Sequence, residues 1–301
     1  MESISNWGRW GSEDQHGTLN LITPEKRRRA AALVSDGVPI SLAHPLPTMR
    51  GPENYFPVQH MMLRAGDIPG TTGTADFMGI ACHGFAITHM DALCHFLWDG
   101  KMYNGFVAER VRSSGAEVCG LDGGQGVVSR GVLLDIPAAK GRDWLEPGES
   151  IHSEDLEAAE QRQGVRVEEG DILLVRTGRQ RRMAELGPVV NPMEGLAGLH
   201  ASALPWLHER GIAVLGSDGV SDVLPSGMGE GSTGVTATGL LRQPVHTGAI
   251  VYMGLHLMDN AQLEDVTQVC QDRGRWAFLL TIAPLRLSSA TGSAVNPIAL
   301  F

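Results

Sequence analysis

His83-Gly84-Phe85-Ala86-Ile87-Thr88-His89-Met90-Asp91-Ala92-Leu93-Cys94-His95-Phe96 holds three of the chain's eleven histidines within thirteen residues. His89 and Asp91 are two apart, so on an extended strand both side chains face the same side. An imidazole and a carboxylate side by side suit a borderline divalent ion such as Zn²⁺ or Mn²⁺. His95 lies four residues beyond Asp91 and turns back toward the same point if the chain becomes helical there. An imidazole beside a metal-bound water is a natural proton shuttle, because its pKa is near neutral. Taken singly, each of these histidines reads as a core group satisfied by the main chain. It is their spacing around Asp91 that favours a metal site.

Outward from this cluster, short apolar runs punctuated by Gly and Pro recur along the chain. They predict strands at Val38–Ala43, Pro57–Leu63, Phe77–Ala81 with Phe85–Thr88, Gly131–Ile136, Asp171–Arg176, Ile212–Gly216, Ala249–Leu257 and Trp276–Ala283. Helices are expected at Pro24–Leu33 (Thr23 as N-cap, Pro24 at the first helical position), Glu154–Gln163, Gly178–Leu186, Ala201–Glu209 and Ala261–Asp272. Pro205 interrupts the fourth of these. Strands outnumber helices and the two do not alternate regularly, which disfavours a TIM barrel or a doubly wound sheet. A single mixed α/β domain over 1–301 with a large sheet is the better reading, since no stretch reads as an interdomain linker.

The chain has 301 residues, with 24 Lys+Arg against 34 Asp+Glu and a net charge of −10. An acidic balance argues against nucleic acid, whose backbone requires a basic face. No apolar run approaches the roughly 18 residues of a membrane span, and Met1–Asn6 has neither the basic nor the apolar region of a secretory signal. The four cysteines, Cys82, Cys94, Cys119 and Cys270, form no C-x-x-C pair. They read as reduced thiols, so a cytoplasmic location is expected.

Other motifs are weaker. Gly229-Glu230-Gly231-Ser232-Thr233-Gly234 fits G-x-G-x-x-G but does not directly follow a strand, so it reads as a plain Gly-rich loop. No P-loop, H-E-x-x-H or G-x-S-x-G pattern occurs. Asp218 and Asp222 follow a predicted strand and read as Asx turns and helix caps. His256 sits in an apolar run and reads as structural. Trp98 and Tyr103, close after the cluster, are candidate walls of a pocket for a flat substrate. Strand alternation also turns Phe85 to the face of His89 and Asp91, making its ring a candidate substrate contact.

Thr88-His89-x-Asp91-x-x-x-His95 resembles the H-x-G-T-H-x-D-x-x-x-H signature of the cyclase family, which includes bacterial kynurenine formamidase and isatin hydrolase. The resemblance runs over nearly the whole chain. Asn6–Gly11 with Gly17–Asn20, Trp98–Gly105 and Thr291–Ala299 are similar to segments of the family's longer, roughly 300-residue branch. It implies a swivelling β/β/α fold in a homodimer or homotetramer. It also implies a divalent ion, zinc or manganese, that polarises an amide carbonyl and activates water. Carried over position by position, His89 and Asp91 match metal ligands and His95 the catalytic histidine. His246 and Asp259 match a later histidine and acidic ligand, with Asp in place of the more usual Glu.

One position departs from the pattern. The family's first histidine aligns with Phe85, and His83 sits two residues earlier, about 6–7 Å away along an extended chain. A bulge near Gly84 would bring His83 back as a ligand. The expected activity is therefore metal-dependent hydrolysis of a C–N bond in a small aryl formamide, cyclic amide or imide. Two alternatives stay open: a cyclase or dehydratase using the same His/Asp site, and a metal-free binding protein on the same fold.

Overall fold

Among the described residues, nine strands gather into one mixed sheet. Leaving aside four two-residue strands that pair among themselves, the strands in chain order are β1 (Pro39–Ser41), β2 (Gln59–Arg64), β3 (Ala75–Gly79), β4 (His89–Asp91), β5 (Val127–Asp135), β6 (Ile172–Arg176), β7 (Val214–Ser217), β8 (His256–Asp259), β9 (Ala277–Ile282), β10 (Gly292–Ala294) and β11 (Ile298–Leu300). The sheet runs β1-β11-β9-β5-β6-β7-β8-β4-β10, with β2 and β3 forming a separate hairpin. The computed structural model describes residues 2–121, 126–189, 191–192, 195–227 and 243–301. The Gly229–Gly234 stretch lies outside the described residues.

The central strands β5, β6, β7 and β8 are parallel, and the flanking pairs are antiparallel. Their composition explains this. Ile172-Leu173-Leu174-Val175 is buried along its whole length, as a strand covered on both faces must be. Helices α1 (Pro24–Ala31), α2 (Ser153–Gln163), α3 (Arg179–Leu186), α4 (Leu204–Arg210) and α5 (Glu264–Arg273) accompany the sheet. Between β5 and β8 the chain does alternate strand and helix, a regularity obscured in the sequence by the helix-poor first hundred residues.

Pro205 does not break α4, because it falls in the first turn, where its missing N–H leaves no bond unmade. At the first helix, Thr23 accepts from Lys26 N as the expected cap. The hairpin β2–β3 stands apart: every residue of β2 is exposed, including Met61, Met62 and Leu63. Among the described residues, no helix is long and apolar enough to cross a membrane.

Two strand expectations fail. Ala249–Leu257 is not a strand: Thr247–Met253 is a wide, π-type helical turn following a short helical start at Pro244–His246, and extended chain begins only at His256. Ala249, Ile250 and Val251 are all buried, and an apolar run buried on every side carries no periodicity to distinguish helix from strand. The helical form is favoured by Pro244 at its start and by Gly254 at its end, in a left-handed conformation with φ 64°. Phe85–Thr88 is likewise not extended; residues 84–87 form bends, with Gly84 at φ 130°.

Candidate metal centre

β4 is three residues long and fully buried. Its register assembles the site. Asp259 on β8 lies directly opposite His89, while on the other flank Gly292 lies opposite Asp91 and Ala294 opposite His89. Directly paired residues on antiparallel strands bring their Cβ atoms to roughly 5 Å. The strand pairing thus converts residues remote in sequence into neighbours on one face.

Asp91 is the hub. Its Oδ1 lies 3.0 Å from His83 Nδ1, 3.4 Å from His89 Nε2 and 3.8 Å from His95 Nε2. Its Oδ2 lies 3.6 Å from His246 Nε2, which is also 3.3 Å from Asp259 Oδ2. Yet among the described residues neither carboxylate oxygen of Asp91 has a partner in hydrogen-bond geometry, although both are buried. A buried carboxylate left in this state is costly unless something else binds it. Two sets of ligand atoms converge: His83, Asp91 and His95 on the open side, and His89, Asp91 and Asp259 in the interior. The donors are nitrogen and oxygen, and the carboxylates pair with no lysine or arginine among the described residues. This donor set fits a divalent ion of the zinc or manganese type.

Each imidazole is aimed by a specific contact. His89 Nδ1 donates to Ile87 O at 2.8 Å, leaving Nε2 toward Asp91. His246 Nδ1 lies 2.6 Å from Asp222 Oδ2, which also accepts from the main-chain nitrogens of Val245, through Oδ1, and His246. Asp222 is therefore both the cap expected from sequence and the group that fixes the His246 tautomer, a role its sequence context does not reveal. Ser221 Oγ donates to Asp259 Oδ1 at 2.7 Å and holds that carboxylate. Asp218 accepts from Thr177 N, Thr177 Oγ1, Gly178 N and Arg179 N, so outside the cluster it caps the start of α3 from a distant position in the chain, the cap but not the local turn that the sequence suggests.

The Phe85 expectation is corrected here. The bends at 84–87 cancel strand alternation, and Phe85 packs against Leu196, Val220 and Leu224, edge-on to Tyr55. His83 takes the place beside Asp91. Its ring lies over Gly292, where a β-carbon would come within 2.5 Å of Cε1. It stacks face to face on His95 with centroids 3.7 Å apart, and its Nε2 is 3.1 Å from Thr291 Oγ1. Asn260 secures the turn: its side chain donates to Gly84 O at 2.7 Å and its carbonyl accepts from Thr88 Oγ1 at 2.6 Å.

Of the other pocket candidates, Trp98 is 57% exposed, whereas Tyr103 is fully buried and its hydroxyl donates to Asp14. Tyr103 therefore belongs to the core and not to a pocket wall. It packs under Gly254, whose missing side chain makes room for the ring.

The charges follow from burial and proximity. Burial works against ionisation of Asp91, but His83 and His89 outweigh it and hold the carboxyl well below the usual range. Burial opposes a charge on His246, but Asp259 and Asp222 prevail and raise its pKa well above the ordinary histidine value. Burial pushes His95 down to about 4, with Asp91 opposing, so its ring is neutral at pH 7. His256, buried on β8, is pushed down to about 4 in the same way.

The model of the family described as "Putative cyclase" matches residues 40–222. The crystal structure of a novel cyclase is 30% identical, with a TM-score of 0.86 over 99% of both chains. An isatin hydrolase bound to the product analogue thioisatinate is 17% identical, with a TM-score of 0.60 over 90% of this chain and 94% of that one. Isatin hydrolase A from Labrenzia aggregata, bound to benzyl benzoate, is 18% identical, with a TM-score of 0.58 over the same shares. No curated protein matches the chain in sequence.

Proposed function

The chain belongs to the cyclase family, and from that premise we propose that it is a metal-dependent hydrolase of C–N bonds in small aryl formamides, cyclic amides or imides. The observation that carries the reading is Asp91: a buried carboxylate ringed by four imidazoles, with neither oxygen in hydrogen-bond geometry to a partner among the described residues. His89, Asp91, Asp259 and His246 would hold a buried ion, and His83 with Asp91 and His95 offers a second, more open ligand set. A divalent ion bound there supplies Lewis-acid polarisation of a carbonyl and lowers the pKa of water.

The remaining chemistry falls to the chain. Ile87 O and Asp222 hold the Nδ1 side of His89 and His246 outward, so that both Nε2 atoms face inward, where an ion would displace the second proton of His246. Ser221 keeps Asp259 from turning away. His95, neutral and a quarter exposed, has its Nε2 3.8 Å from Asp91 Oδ1 at the open edge of the cluster, where it would take a proton from water and return it to a leaving nitrogen. A binding protein that lost its metal was motivated by Phe85 in a ligand position, and His83 beside Asp91 removes that motive.

The test is metal analysis of protein purified without added metal, followed by assay of formamides, lactams and imides in oxygen-18 water. Hydrolysis places the label in the product acid; a cyclase or dehydratase does not. His95→Ala is expected to keep its metal and lose about 10²–10⁴-fold in turnover. Asp91→Asn is expected to lose the metal itself. Full turnover after exhaustive chelation would overturn the reading.

A further inference from the structure

Among the described residues the buried carboxylate of Asp91 has imidazole neighbours at 3.0–3.8 Å but no main-chain or amide donor to anchor it, so its placement among those rings depends on the main chain of residue 91. On one side that main chain is fixed by pairing with Gly292, and the next residue continues the contact through Ala92 N to Thr291 O at 2.9 Å. On the other side the ladder runs out. β4 pairs with β8 only at Met90 with Met258 and His89 with Asp259. The Asp91 carbonyl on that side is met by a side chain: His256 Nδ1 lies 2.8 Å from Asp91 O, in a bond buried from solvent. A carbonyl only accepts, so Nδ1 carries the proton. His256 is 2% exposed, and its Nε2 is buried with no hydrogen-bond partner. Among the described residues the ring thus makes one hydrogen bond, and it is to Asp91.

We propose that His256 is a positioning residue for the metal centre: its Nδ1–H replaces the missing rung of the β4–β8 ladder and sets where the Asp91 carboxylate stands. The inference rests on the reading of Asp91 as a metal ligand. It assigns a purpose to a histidine on the face of β8 opposite to Asp259, a histidine that reaches no candidate ligand atom itself. His256 also lines a cavity of about 440 Å³, together with Gln15, His16 and Leu121. Contact with that cavity is a second possible reason for a histidine here, and the variants below separate the two.

Asparagine places its amide nitrogen where histidine has Nδ1, and leucine fills similar space with no donor. The full chain as wild type, His256→Asn and His256→Leu is titrated with Mn²⁺ and Zn²⁺ against a competing chelating dye. His256→Leu is expected to bind 10–100-fold more weakly, the usual effect of removing a group that orients a ligand, and His256→Asn to stay within about threefold of wild type. Melting in excess chelator serves as the control for general damage. Weak binding by both variants would assign the effect to contact with the cavity and overturn the proposal, as would wild-type affinity in His256→Leu. Should the leucine variant not fold, ¹⁵N resonances of the wild-type His256 ring decide: a proton on Nε2 and not on Nδ1 overturns it. Absence of stoichiometric metal in wild type, with no difference from His89→Ala, is a separate outcome that removes the metal reading and this inference with it.

Discussion

Gly292 stands opposite Asp91 in the sheet, and its missing side chain is the space that the His83 ring fills. Gly292→Ala puts a β-carbon 2.5 Å from Cε1 of His83, so the ring must leave Asp91. The expected result is a fold destabilised by about 1–3 kcal/mol, the range for overpacking. Affinity at the open ligand set should fall by 10-fold or more. Metal titration and denaturant unfolding in chelator measure the two effects, and unchanged affinity would count against His83 as a ligand.

Phe85→His restores the residue usual in the family at this aligned position, yet no gain in metal affinity is expected. The bends at 84–87 turn position 85 into the small cluster of Leu196, Val220 and Leu224. A polar ring there should cost about 1–2 kcal/mol of stability through lost apolar burial. Tighter metal binding by this variant would show that position 85 reaches the cluster after all.

Asp222→Asn keeps an oxygen for the main-chain nitrogen of Val245 but loses the charge that holds the His246 Nδ1 proton. The helical start at Pro244 should survive, while metal affinity drops about 10–100-fold. Circular dichroism and metal titration report the two separately. A fold that collapses with its metal affinity would reduce Asp222 to a cap.

The metal-free protein should lose stability in acid. His95 and His256 have folded pKa values of about 4, chiefly through burial, while an unfolded chain protonates histidine near pH 6.5. Between these values the unfolded state binds more protons, so stability falls as pH falls, by at most about 3 kcal/mol per group. Despite opposing burial, His246 has a raised pKa through Asp259 and Asp222. Its contribution is complete below pH 6.5 and declines only as pH rises through that raised value, so it leaves this acid window unchanged. Urea midpoints in chelator from pH 7 to 4.5 should decline, and decline less in His95→Ala. A flat profile would refute the assignment.

Much of the site was legible because it is local. His89, Asp91 and His95 are spaced by strand and turn geometry that two-residue alternation captures. His246 and Asp259 were legible only through family resemblance; what places Asp259 opposite His89 is the pairing of β8 with β4, which no local pattern encodes. His83 was reachable in the sequence only by supposing a bulge near Gly84; the structure has bends at 84–87, with Gly84 at φ 130°, and the ring stands beside Asp91. Asp222 and His256 looked like ordinary turn and core residues, since their partners lie 24 and 165 residues away. The helical turn at Thr247–Met253 was misread because uniform burial removes the periodicity on which such readings depend.

The sheet neighbours that complete the site come from opposite ends of the chain: His83 and Thr291, in contact through Nε2, are 208 residues apart. At a ribosomal rate of about 5–20 residues per second, the histidines are made roughly 10–40 s before the strand that seats them. During that interval β4 has neither of its sheet neighbours at first, then β8 alone. A nascent chain therefore carries exposed imidazoles and carboxylates with no fixed geometry for tens of seconds. On the proposed metal reading, an ion would find its complete site only after Gly292–Ala294 has paired with β4, and a chain stalled before that strand would be a poor and unselective chelator.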